Sequence, residues 1–161
     1  MAEPTPDQAN TQDPEQGHFA IQRIYCKDIS FETPNSPQVF QEQWQPQADL
    51  QIDTQAKDLG NGTYDVTLII TATVKVEDKT AFLIEVNQAG IFTASNIPEE
   101  QLGPMLGAFC PNILFPYARE AISDISARGG FPPLILSPVN FDALYAQRMQ
   151  QQAQAGNQTV Q

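Results

Sequence analysis

Few residues in this 161-residue chain are able to do covalent or acid–base chemistry. His18 is the only histidine, and Cys26 and Cys110 are the only cysteines. A histidine beside a serine or cysteine would make a nucleophile with its base, and two close carboxylates would share a proton. His18, however, borders residues 1–18, a stretch too poor in apolar side chains to offset the entropy of ordering. Any base there would have to act from a mobile arm. Asp28 with Glu32, and Asp49 with Asp53, are each four apart in stretches that read as strands. Each pair therefore shares a face but stands about 13 Å apart, too far to share a proton. Cys110 precedes Pro111 and reads as a small buried hydrophobe rather than a nucleophile. The cysteines have no CxxC spacing, which excludes a zinc site and a disulfide framework. No GxGxxG or GxxxxGK run supports nucleotide binding. The chain reads as non-enzymatic, with no cofactor. That leaves a question over CPNILFPYAREAISDISARGG (110–130), whose Arg119 and Glu120 could belong to a site or to the wet side of a packing element.

Charge narrows the partners. Nineteen acids against eight bases give a formal charge of -11, which repels phosphate backbones and anionic lipid heads and suits docking onto something basic. Nucleic acid and direct membrane insertion are not expected. The N-terminus MAEPTPDQANTQDPEQG lacks the basic start and apolar run of a signal peptide. No apolar run reaches the length of a membrane span. A reduced, cytoplasmic location is the expectation. Apolar residues make up 41% of the chain, including nine Phe, so one domain with a real core is within reach.

Periodicity supplies the elements. In TYDVTLIITATVKVE, Tyr64, Val66, Leu68, Ile70, Ala72, Val74 and Val76 alternate with polar residues, Ile69 excepted. This is a half-buried antiparallel strand. Before it, ADLQIDTQAK alternates from Ala48 to Ala56, and Gly60-Asn61-Gly62 between the two tolerates the positive φ of a hairpin. After it, Asp78-Lys79 can turn the chain into AFLIEVNQAGIF, with Phe82, Ile84 and Val86 inward. Upstream, HFAIQRIYCKDISFE reads as a fourth strand. It places Phe19, Ile21, Tyr25, Ile29 and Phe31 on one face, and Gln22, Asp28, Ser30 and Glu32 on the other. The link TPNSPQVFQEQWQPQ is a long crossover loop anchored by Phe40 and Trp44.

The period then changes. Asn96 can cap a short helix with Pro98 at its start. A second helix is expected from about Asn112, with Pro116 tolerated in or next to its first turn. Its stripe is Leu114, Tyr117, Ala118, Ala121, Ile122 and Ile125, with Gly129 as the left-handed stop. A last helix runs from about Asn140-Phe141-Asp142 through Arg148. The organisation is thus a disordered acidic arm over 1–18, a domain over 19–146, and a Gln-rich flexible tail over 147–161. The fold class is α+β: a four-stranded antiparallel sheet with two helices on one face. Two helices cannot cover both faces, and aromatics gather in the crossover loop (Phe40, Trp44) and in the proline-rich loop before the last helix (Phe131, Leu134). Uncovered apolar patches mark binding or assembly surfaces.

The stretches QRIYCKDISFE, PNSPQVFQEQWQP, GIF, CPNILFPYARE and SPVNFDALY, in this order over residues 19–150, resemble the SecB family of protein-export chaperones. The resemblance implies a cytosolic, ATP-independent holdase that keeps preproteins unfolded and delivers them to the SecA motor ATPase. It implies a homotetramer, a dimer of dimers with helices sandwiched between sheets. Carried onto this chain, the motor-docking residues are Asp28, Glu32, Leu83 and Glu85. Grooves for unfolded clients would involve Phe31, Phe40, Trp44, Phe131, Leu134 and Phe141. Tyr117, Ala121, Ile122 and Ile125 would face a neighbouring subunit. The family's C-terminal tail also touches the motor, but the tail here carries few charges. Two alternatives stand beside this reading: a SecB-like chaperone dedicated to one partner, such as a toxin–antitoxin system, and a small α+β enzyme of thioesterase type.

Overall fold

A computed structural model describes residues 16–158. The bulk of the acidic arm (1–15) and the end of the tail (159–161) lie outside the described residues. Four long strands, β1 (His18–Glu32), β2 (Gln47–Gly60), β3 (Thr63–Val76) and β4 (Lys79–Ser95), form one antiparallel sheet in the order β1-β4-β3-β2. The long alternating segments decide this, because one residue of slip would turn every buried side chain to the wrong face. The hairpins sit where residues accept positive φ. Gly60, Asn61 and Gly62 all do at the first. At the second the turn is Glu77-Asp78, both left-handed, one residue earlier than Asp78-Lys79.

Even-numbered residues of β3 and β4 face the helices, and Leu68, Ile70, Phe82, Ile84 and Phe92 are fully buried there. β1 departs from simple alternation. Its register shifts between Ile21 and Arg23 and between Cys26 and Asp28, so Gln22 and Lys27 are bulge residues. Phe19, Ile21, Ile29 and Phe31 keep the helix side, but Tyr25 pairs with Ala89 and turns to the opposite face. Tyr25 therefore does not belong with the other four.

The two helices expected from about Pro98 and from about Asn112 are continuous. α1 (Glu99–Pro104), a π turn (Met105–Phe109) and α2 (Cys110–Arg128) form one unbroken rod. Pro98 holds the N-cap position, and Asn96 lies outside it in left-handed backbone. Pro104, Pro111 and Pro116 all lie within the rod. In the π turn the Cys110 N–H reaches back five residues to the Met105 carbonyl. That wider turn lies just ahead of Pro111, where a proline lacks its own donor and crowds the carbonyl four residues back. Leu114, Ala118 and Ile122 press on the sheet, whereas Tyr117 is half exposed.

The rod stops at Gly129, whose φ of -71° is ordinary right-handed; Gly130, at +89°, makes the left-handed turn instead. Gly129 is small for another reason: a Cβ there would run into the Phe31 ring. α3 (Phe141–Gln158) starts at Asn140, whose side-chain oxygen accepts the Ala143 N–H. It continues well past Arg148, since the Gln and Ala of this stretch are good helix formers. Tyr145 lies against Gly103 and Gly107 of the rod, and Arg148 donates to the Ile52 carbonyl and pairs with Asp53 at the β2 edge. Among the described residues, no helix is long and apolar enough to cross a membrane.

Candidate functional site

The helix-side surface near the end of β1 is aromatic. Phe131 enters from the loop after α2 and is the hub: its ring centroid lies 4.8 Å from Phe82, 5.0 Å from Phe40, 5.6 Å from Trp44 and 6.5 Å from Phe31. Phe31 and Phe82 stack on each other at 6.0 Å from neighbouring strands. Two hydrogen bonds to Ser126 set the incoming loop. Its carbonyl accepts the Phe131 N–H and its buried hydroxyl accepts the Leu134 N–H. The crossover loop is tied to the β3–β4 hairpin by the Asn35 side-chain amide on the Thr80 carbonyl, and by Lys79 on Glu42.

Four of the six residues expected to line a groove therefore meet in one cluster: Phe31, Phe40, Trp44 and Phe131. Leu134 is partly buried against the same core. Phe141 is elsewhere, edge-on to Phe115 near the middle of the rod. Phe131 and Phe141 are buried, at 6% and 4% exposure, while Phe40 is 50% exposed. Phe131 thus forms a floor, and Phe40 presents a surface. Phe82 belongs to this cluster but reads in the sequence only as an inward strand residue; it reaches Phe31 diagonally, since Phe31 itself pairs with Ile84, two residues on.

The opposite face of the sheet is polar. Glu32 pairs with Leu83, Ser30 with Glu85, and Asp28 with Asn87, so Asp28, Glu32, Leu83 and Glu85 share one face of β1 and β4. No bulge interrupts β1 between Asp28 and Glu32, and so the simple count of four placed both acids correctly. Further along this face Lys27 reaches across β4 to β3. Its Nζ donates to Asp65 Oδ2 at 2.7 Å and to Thr67 Oγ1 at 3.1 Å, and the Tyr25 hydroxyl donates to Asp65 Oδ1 at 2.6 Å. Burial alone would raise Asp65, but the bonds from Lys27 and Tyr25, with the lysine's charge, hold its carboxyl below the ordinary range. The bond to Asp65 pushes the Lys27 ammonium up despite its desolvation. Sequence reading missed this triad, because the bulge at Lys27 is what turns it to this face.

The groups weighed for chemistry are not brought together. His18 is exposed at the start of β1. Cys110 is buried, and desolvation pushes its thiol up to about 12, so it stays protonated and inert. Arg119 lies over the Phe115 ring, its guanidinium carbon 5.7 Å from the centroid, and Asp124 pairs with Arg128 one turn on. Glu120 is exposed. The 110–130 segment is a packing element. Of the residues expected to face a neighbouring subunit, Tyr117 is exposed, Ala121 and Ile125 are partly buried, and Ile122 is fully enclosed within the protomer.

Known proteins resemble this arrangement. The family model described as preprotein translocase subunit SecB matches residues 11–152. A "Protein-export protein SecB" of Methylococcus capsulatus is 56% identical over 146 residues, covering 89% of this chain and 94% of its own. One of Nitrosococcus oceani is 51% identical over 158 residues, covering 97% and 96%. Among solved structures, a SecB-like chaperone of Mycobacterium tuberculosis, in complex with a peptide from an antitoxin, matches with a TM-score of 0.63. It is 18% identical and the match covers 75% of this chain and 90% of that one, which shows a shared fold.

Proposed function

This chain belongs to the SecB family of protein-export chaperones, and from that membership we propose how its two sheet faces divide the work. It acts in the cytoplasm as an ATP-independent holdase. Unfolded preproteins bind at the helix-side aromatic cluster, with Phe40 and Trp44 at the surface, Phe31, Phe131 and Leu134 beneath, and Phe141 further along the rod. Apolar contact reads no sequence, which suits a client defined only by being unfolded. Asp28, Glu32, Leu83 and Glu85 dock the SecA motor ATPase, whose basic surface an acidic wall would steer. Four copies assemble as a dimer of dimers, with Tyr117, Ala121 and Ile125 on the interface and Ile122 backing it from the core.

One observation carries the division. Phe31 and Glu32 are adjacent on β1, Phe82 and Leu83 are adjacent on β4, and each pair puts its aromatic on the helix side and its partner on the bare side. Client and motor can then occupy one chain without competing for surface. Glu85→Lys tests this: SecA binding should be lost while binding of an unfolded client survives. Unchanged SecA binding would reject it, whereas loss of both with a lowered melting temperature would point to misfolding. The reading as a chaperone dedicated to one antitoxin draws on the M. tuberculosis structure, but at 18% identity that likeness concerns the fold. The export proteins at 51–56% identity favour export. SecB is not an enzyme family, and a thioesterase has no placed base here.

A further inference from the structure

The docking face proposed above carries one lysine in an awkward place. Lys27 is the bulge residue immediately before Asp28, on the strand that also bears Glu32. Left to itself, a flexible ammonium there would sit among the acids and neutralise them. It is instead drawn sideways, two strands over, onto Asp65 and Thr67 of β3. The path is cut for it. Ala89 of β4 pairs with Tyr25 on one side and Thr67 on the other, and its single methyl is fully buried beneath the crossing side chains. Both Asp65 oxygens are engaged, one by Lys27 and one by Tyr25, and the residue is only 9% exposed. Asp65 therefore adds nothing to the negative wall directly. Elsewhere on this face of β3, positions 63, 67, 71 and 73 are threonine and 69 is isoleucine, so a carboxylate at 65 is the exception.

We propose that Asp65 is a positioning residue for motor docking, holding Lys27 down on β3 so that Asp28, Glu32 and Glu85 face the partner unneutralised. This rests on the reading that those acids dock SecA, and the experiment separates the two. SecA binding is titrated calorimetrically at low and high ionic strength for the wild type, D65N, K27M, D65N/K27M and E85K, with unfolded-client binding measured on the same samples. D65N is expected to weaken SecA binding about two- to fivefold at low salt, the range an exposed charge contributes, and less at high salt. Removing the lysine as well should restore binding to within about twofold of K27M alone, since the effect is electrostatic and local. Client binding should not move. A merely structural role for Asp65 would leave the double variant as weak as D65N, and that result, or an unchanged D65N, overturns the proposal. Unchanged binding by E85K would instead overturn the docking reading itself. Should D65N not fold, D65T, which continues the threonine pattern of β3, is judged by the same outcomes.

Discussion

Glu32 and Leu83 stand directly opposite each other on the β1–β4 ladder, both on the face turned away from the helices. Opposed side chains on one face are the closest neighbours a sheet provides, so an acid and an apolar side chain here form one mixed contact point. Glu32 is exposed. Glu32→Lys should therefore leave the melting temperature nearly unchanged, within about 0.5 kcal/mol of stability, as surface substitutions do. SecA binding should fall sharply, which pull-down against purified SecA would read.

Phe40 and Phe131 stack at 5.0 Å, but one is half exposed and the other is buried. Their truncations should separate client binding from stability. Phe131→Ala leaves a hole among four aromatic rings and is expected to cost about 3–5 kcal/mol. Phe40→Ala removes mostly exposed area and should cost under about 1.5 kcal/mol while weakening unfolded-client binding. Trp44, the only tryptophan, reports on the same cluster. Its fluorescence should change on client addition, and a flat titration would place the client elsewhere.

The alternation of β3 and β4 was plain in the sequence because no bulge interrupts it until Val74, and the acids of β1 were legible for the same reason. Tyr25 was not, since two bulges flip the count on either side of it and no residue type announces a bulge. The continuity of the rod was not legible: the residues point to a short helix after Pro98 and a second from about Asn112, and the π turn over Met105–Phe109 joins them just ahead of Pro111. The left-handed role expected of Gly129 falls to Gly130, and Gly129 is held small by the ring of Phe31, a contact 98 residues away in sequence. The aromatic cluster was visible as a set of exposed-looking loop residues, but its strand members came together only through the register.

Asp65 ties stability to pH. Its folded carboxyl titrates below the ordinary value of 3.8. The stabilisation is thus fully present above that value and is lost as pH falls through the depressed folded value. Lys27 is raised above its ordinary 10.5, so its share is present below that value and fades as pH rises through the folded one. Melting curves of wild type and D65N should differ most near neutrality and converge below about pH 4. Curves already coincident near neutrality would show that the ion pair contributes nothing.

Burial separates the two thiols. Cys26 is exposed on β1, and Cys110 is enclosed with its thiol pushed up to about 12. A thiolate-directed reagent near neutral pH should label Cys26 alone in the native protein, and both after denaturation. Mass spectrometry of the labelled chain would decide it. Rapid native labelling of Cys110 would mean that the rod opens at its π turn, since Cys110 is the first residue beyond it.

Tyr117 and Ile122 lie on the same rod, and their substitution by aspartate should have opposite consequences. Ile122 is fully buried against the sheet, so Ile122→Asp places a carboxylate in the core of the protomer. The chain would then unfold or the acid would stay protonated, at a cost of several kcal/mol. Loss of assembly in that variant would say nothing about an interface. Tyr117 is half exposed, and Phe109 of the π turn is exposed to the same degree. A rod that shows two large aromatics to solvent is short of a partner. Tyr117→Asp should keep the circular dichroism and thermal melt of the wild type while lowering the native mass seen by light scattering. A variant that melts normally and keeps the mass of a tetramer would remove this side of the rod from the interface.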